Sequence, residues 1–143
     1  AGLVNVGQLV REYYGEQDVV LVGFGSYKGG VVAGYGWGQP MRELPVPEAR
    51  SGSVEELLHR ESEQDRLLIF GADKSQGRFS GKLPHRAIGV VYHPNHEKHG
   101  NYVPTVLNSR YDAFVYLDET NALNPLQVAA DKYKMPDTYP FEV

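Results

Sequence analysis

The feature that most constrains this chain is the stretch Asp18–Gly38, DVVLVGFGSYKGGVVAGYGWG. Its apolar run Val19–Val22 is bounded by glycine and reads as a buried strand. Gly23, Gly25, Gly29 and Gly30 follow in what reads as a loop, and backbone without Cβ atoms can turn tightly or lie against a ligand or another chain. Ser26, Tyr27 and Lys28 stand among them, placing a hydroxyl, a phenol and an amine at a strand end, where open α/β sheets build their sites. Trp37 adds a flat apolar wall. Ser26, Tyr27, Gly29 and Trp37 are therefore the candidate substrate-binding residues. The spacing of Gly23, Gly25 and Gly29 imitates a dinucleotide fingerprint, which works only when the last glycine opens a helix. Here Gly34, Gly36 and Gly38 recur at every other position before Pro40, a pattern that opposes helix. A tight turn between two strands is the competing explanation of the glycines.

With 143 residues the chain is the size of one domain, spanning 1–143, and long enough to bury a core. Its net charge is −4 and its Lys and Arg residues are scattered, so electrostatics favours neither nucleic acid nor a membrane surface as partner. No apolar run reaches transmembrane length and no signal-peptide pattern is present. The absence of cysteine removes disulfides and thiol chemistry and fits a cytoplasmic protein. An opening on Ala1 in place of methionine points to a processed or cut start.

Asn5–Tyr14 has Val6, Leu9, Val10 and Tyr13 at helical spacing, with Asn5 as N-cap and Gly15 as stop. Pro40 to Pro47 reads as extended. Ser53 and Glu56 form a capping box, and Val54, Leu57 and Leu58 give that second helix its buried face, with His59 at the edge. Leu67–Phe70 reads as a strand or buried segment. Asp73–Pro84 reads as a surface loop. Tyr102–Leu107 fits a short helix or an extended piece. Beyond Pro125 the tail looks irregular, with one helical turn near Val128. The runs near Val19, Ala87–Tyr92 and Ala113–Leu117 are continuously apolar, which predicts strands side by side and covered on both faces. The expected fold class is α/β, a mainly parallel sheet with few helices. Two good helices cannot cover such a sheet. A second copy, another subunit or a missing segment must supply the remaining layer.

Three polar groups carry candidate chemistry. His93, His96, Glu97 and His99 fall within seven residues, but Lys98 lies among them and the spacing is not that of a helical zinc motif, so the segment reads as a solvated loop. Asp118 and Glu119 at a strand end can serve as base or anchor, or merely as turn and cap carboxylates. Ser26 lacks the strand–turn–helix setting of a nucleophile elbow. No residue is assigned as catalytic, and no metal or other cofactor is called for.

In order along the chain, Asn5–Glu12 (NVGQLVRE), Val19–Gly29 (VVLVGFGSYKG), Trp37–Arg42 (WGQPMR), Val46–His59 (VPEARSGSVEELLH), Arg86–Pro94 (RAIGVVYHP) and Tyr111–Leu123 (YDAFVYLDETNAL) resemble the C-terminal region of the erythromycin esterase family. The resemblance covers Asn5 to about Leu126, leaving Asp73–Lys82 and the tail unmatched. It implies an α/β fold, as the C-terminal part of a larger α/β hydrolase-type domain with a missing N-terminal part, and ester hydrolysis in which a histidine activates water as general base. In that family the catalytic histidines and their carboxylate partners lie upstream of the segment matching Asn5, so none is carried onto this chain. At position 93 the family pattern has arginine where this chain has His93. The implied partner is a small-molecule ester or related ligand. The alternative is a binding or oligomeric interaction module without the catalytic part.

Overall fold

In the computed structural model, residues 5–71, 73 and 77–123 are described, so the expected helical turn near Val128 lies outside them. Helix α1, Val6–Tyr14, begins where Asn5 Oδ1 accepts the Gln8 amide, and it ends at Gly15, whose positive φ of 93° lets the chain turn away. A single 3₁₀ turn, Glu16–Asp18, leads to the long strand β1, Val22–Ala33. Then follow β2 (Arg42–Val46), α2 (Val54–Glu61), β3 (Arg66–Ile69), β4 (Lys82–Arg86), α3 (Glu97–Gly100), β5 (Tyr102–Val106), α4 (Leu107–Arg110) and β6 (Ala113–Thr120).

The main sheet has the order β2-β1-β6-β3. β1 and β6 are parallel, while β1–β2 and β3–β6 are antiparallel. The expectation of a mainly parallel sheet is thus corrected to a mixed one with a single parallel pair. The run Ala87–Tyr92 is a second correction. It is no strand of this sheet but touches it through one isolated bridge, Gly34 to Val91. Gly89 interrupts it, Tyr92 turns into the core and Val90 stays outside. The β4–β5 ribbon stands apart, with Pro84 opposite Pro104. Neither proline has an amide hydrogen to offer the other, which suits a two-stranded ribbon and not the interior of a sheet.

The glycines of β1 are explained by what packs on them, and the expected loop is a strand. A Cβ on Gly23 would lie 2.7 Å from the Tyr111 ring, and one on Gly25 would lie 2.6 Å from Phe114. Tyr111 and Phe114 therefore pack against bare backbone, and Phe114 shares its core with Tyr116, with Val54 and Leu58 of α2 and with Phe79 and Leu107. A second cluster of Ala33, Leu44, Val46 and Tyr92 closes the far end. No helix follows Gly29, so the nucleotide-binding imitation ends there.

Among the described residues, no element covers the opposite face of the sheet. Register places Val22, Ala113 and Ile69 in one row and Phe24, Val115 and Leu67 in the next. Phe24, Leu67 and Ile69 are 66, 61 and 77 % exposed. The apolar stripe of α1 is exposed too, at Val6, Leu9 and Tyr13, because the helix is held instead by Arg11, which pairs with Asp112 at 2.6 Å. Among the described residues, no helix is long and apolar enough to cross a membrane.

Candidate functional site

The carboxyl ends of the parallel strands β1 and β6 meet the last turn of α2, and three side chains converge there. The capping bonds of α2 fix where that turn falls: Ser53 Oγ accepts the Glu56 amide, while Glu56 Oε2 accepts the Gly52 amide. His59, at the C-terminal end of the helix, then stacks its ring on Tyr27 of β1 with centroids 3.6 Å apart and planes 4° from parallel. Its Nδ1 lies 2.8 Å from Oδ1 of Asp118 on β6. Tyr116, two residues earlier on the same face, donates its hydroxyl to that same oxygen at 2.6 Å. The Asp118 amide donates to Asp65 at 2.9 Å.

Tyr27, His59 and Asp118 line an open cavity of about 540 Å³ together with Lys28, Glu48, Glu63, Asp65 and Glu119. Burial works to raise the Asp118 carboxyl, but the hydrogen bonds from Tyr116 and His59 and the charges of His59 and Lys28 outweigh it and hold it below its ordinary value. Burial, followed by the Glu48 carboxylate, raises the Tyr27 phenol. Burial and the bond to Asp118 raise Tyr116 as well, so both tyrosines remain hydrogen-bond donors at neutral pH. The Lys28–Glu119 pair at 3.6 Å is exposed on both sides and contributes little.

A buried cation fixes the backbone beneath. Arg86 gives Nη1 to the carbonyls of Ser26 (2.6 Å) and Tyr27 (2.9 Å) and Nη2 to that of Pro47 (2.7 Å). Its charge is met by Glu97, fully buried, at 2.8–3.0 Å. Tyr92 and Tyr102 donate their hydroxyls to Glu97, and burial pushes Tyr102 up to about 12. The Nη1 arm of this clamp holds β1 at Ser26 and Tyr27, and so the position of the Tyr27 ring, while Nη2 ties in the segment after β2 at Pro47. Next to it Glu55 Oε1 accepts the Arg86 amide and lies 2.6 Å from His85 Nδ1, both side chains being buried.

Of the four residues singled out in the sequence, only Tyr27 lines the cavity. Ser26 lies one position earlier in β1 and contributes its carbonyl to Arg86. Gly29 lies on the Thr120 backbone, and Trp37 stands 69 % exposed on the turn toward β2. The histidine segment is not a loop but a 3₁₀ turn at Pro94–His96 followed by α3. Its Glu97 points inward to Arg86, while His93 stacks on Tyr35 with centroids 5.4 Å apart. His59 and Asp118 were each visible in the sequence, as a helix-edge histidine and a strand-end carboxylate. Their pairing spans 59 positions and has no local signature. Arg86 carried no signal beyond its place before an apolar run.

The chain matches the erythromycin esterase family over residues 1–120. Its fold is similar to a crystal structure described as a succinoglycan biosynthesis protein, with TM-score 0.57 and 17 % identity. The match covers 82 % of this chain and 28 % of that one, so this chain spans less than a third of that protein's length.

Proposed function

Since the chain belongs to the erythromycin esterase family, we propose that it is the C-terminal portion of a carboxylic-ester hydrolase whose strand-end residues complete a substrate pocket. The observation that carries this reading is the convergence of Tyr27, His59 and Asp118 on one cavity at the carboxyl ends of the parallel pair. Sites of α/β sheets are built at that edge, where side chains leave the strands and the backbone beneath them is rigid. The Tyr27–His59 stack offers an ester substrate a flat wall, and Lys28 with the surrounding carboxylates offers hydrogen-bond partners. The general-base histidine belongs to an N-terminal part outside this chain.

The bare sheet face favours a second reading, in which the chain is a binding or interaction module that works as an oligomer. Exposed Phe24, Leu67 and Ile69 are what such a contact needs. The two readings separate in one assay. Hydrolysis of a simple aryl ester or a macrolide is followed for the 143-residue chain and for a polypeptide that includes the upstream part. The hydrolase reading expects background turnover from the chain alone and catalysis from the longer polypeptide, with KM raised by Tyr27→Ala. Equal background from both supports the module and overturns the hydrolase.

A further inference from the structure

We propose that His59 is a proton-transfer residue of this site, donating the Nε2 proton to the leaving alcohol of the ester, with Asp118 as its positioning residue; this rests on the hydrolase reading above. The geometry has the parts such a donor needs. Nδ1 is taken by Asp118 at 2.8 Å, which fixes the nitrogen that keeps its proton and leaves Nε2 for exchange. Among the described residues no hydrogen bond engages Nε2, although the ring lines the cavity. Tyr27, stacked at 3.6 Å, removes the remaining freedom of the ring. Asp118 is itself immobilised by Tyr116, its strand neighbour on the same face, and compensates the charge that the ring carries when protonated. A histidine needed only to tie α2 to β6 would require the Asp118 bond but not an unengaged second nitrogen over an open cavity.

Water oxygen bonds to the acyl carbon while its proton passes to the general-base histidine of the upstream part and the carbonyl π pair moves onto the carbonyl oxygen. That pair returns to re-form the carbonyl as the bond from the acyl carbon to the alcohol oxygen breaks. The electron pair of the broken bond stays on the alcohol oxygen, which takes the proton from His59 Nε2. A carboxylic acid and an alcohol leave, His59 regains its proton from solvent, and the upstream histidine gives its proton to solvent. The groups facing the ring are Tyr27 and Lys28 of β1, Glu48, Glu63 and Asp65 of the adjoining loops, and Asp118 and Glu119 of β6.

The deciding variant is His59→Asn in a polypeptide that carries the upstream general base. The asparagine amide nitrogen takes the place of Nδ1 and keeps the Asp118 bond, but nothing replaces Nε2. We expect kcat to fall by about 10²–10⁴-fold, far more than KM rises, with thermal stability little changed. Asp118→Asn should lower kcat and move the neutral-state proton of His59 from Nδ1 to Nε2, read by ¹⁵N NMR. A His59→Asn protein that keeps kcat, or a wild-type ring already protonated on Nε2 when neutral, overturns the inference alone. A wild-type polypeptide without ester hydrolysis overturns the hydrolase reading and the inference with it.

Discussion

Gly29 has φ 135°, and a Cβ built there would stand 2.0 Å from the Thr120 carbonyl oxygen. Both facts forbid a side chain, since neither the left-handed backbone nor the backbone of a neighbouring strand can yield. Gly29→Ala should therefore destabilise the fold by about 2 kcal/mol or more, whereas Gly89→Ala, with open space around it, should stay within about 0.5 kcal/mol. Urea unfolding of the two variants measures this, and equal losses would contradict it. β6 itself accounts for a glycine at position 29. At Asp118 the sign of the pH effect is fixed by its lowered carboxyl. Its contribution to stability is complete above its ordinary value of 3.8 and is lost as pH falls through the lower, folded one. Unfolding free energies from pH 5 downward should show this acid loss in the wild type and a shallower slope in Asp118→Asn.

At the level of elements, Arg86 and Glu97 join the β4–β5 ribbon and α3 to the end of β1. Arg86→Met leaves Glu97 buried without its counter-charge and frees the carbonyls of Ser26, Tyr27 and Pro47. A loss of about 3–5 kcal/mol is expected, with Glu97→Gln milder because the amide oxygen can take the place of Oε1, which accepts from Arg86 and Tyr102, while the amide nitrogen in the place of Oε2 can donate to the Tyr92 hydroxyl oxygen. Thermal denaturation tests the order of the two. The helices were legible from local chemistry: Asn5, Gly15 and the Ser53–Glu56 pair act within one turn, and the structure uses them as caps. Strand placement was legible in part: Ala113–Leu117 lies within β6 and Leu67–Phe70 overlaps β3. Val19–Val22 gives way to a strand beginning at Val22, because the bare backbone of Gly23 and Gly25 is what Phe114 and Tyr111 pack against. The run Ala87–Tyr92 has the composition of a strand, yet its backbone bonds go to Asn101 and Gly34 and not to a neighbouring ladder. In the site, Tyr27 was legible because its position among glycines is local. The His59–Asp118 pair was not, because only the fold brings a helix end to a strand end.

For the molecule as a whole, a sheet with one face packed and the other apolar and exposed is an incomplete layer structure. The rows Val22–Ala113–Ile69 and Phe24–Val115–Leu67 are suited to a covering layer from a second copy or from the upstream part of the polypeptide. The 143-residue chain alone should therefore self-associate, and Phe24→Ser with Ile69→Ser should shift it toward monomer in sedimentation velocity. An unmodified chain that stays monomeric at high concentration would contradict that expectation.

The central claim is that the carboxyl ends of β1 and β6 form a ligand site. It is tested most directly by adding an aryl ester or a macrolide to ¹⁵N-labelled chain and following the amide resonances. The account predicts that shifts concentrate at Tyr27, Lys28, His59, Asp118 and Glu119, and that Tyr27→Ala removes them. Shifts confined to the other cavity, of about 490 Å³ and lined by Asn5, Gln8, Arg11 and Arg110, or to the bare sheet face, would contradict it.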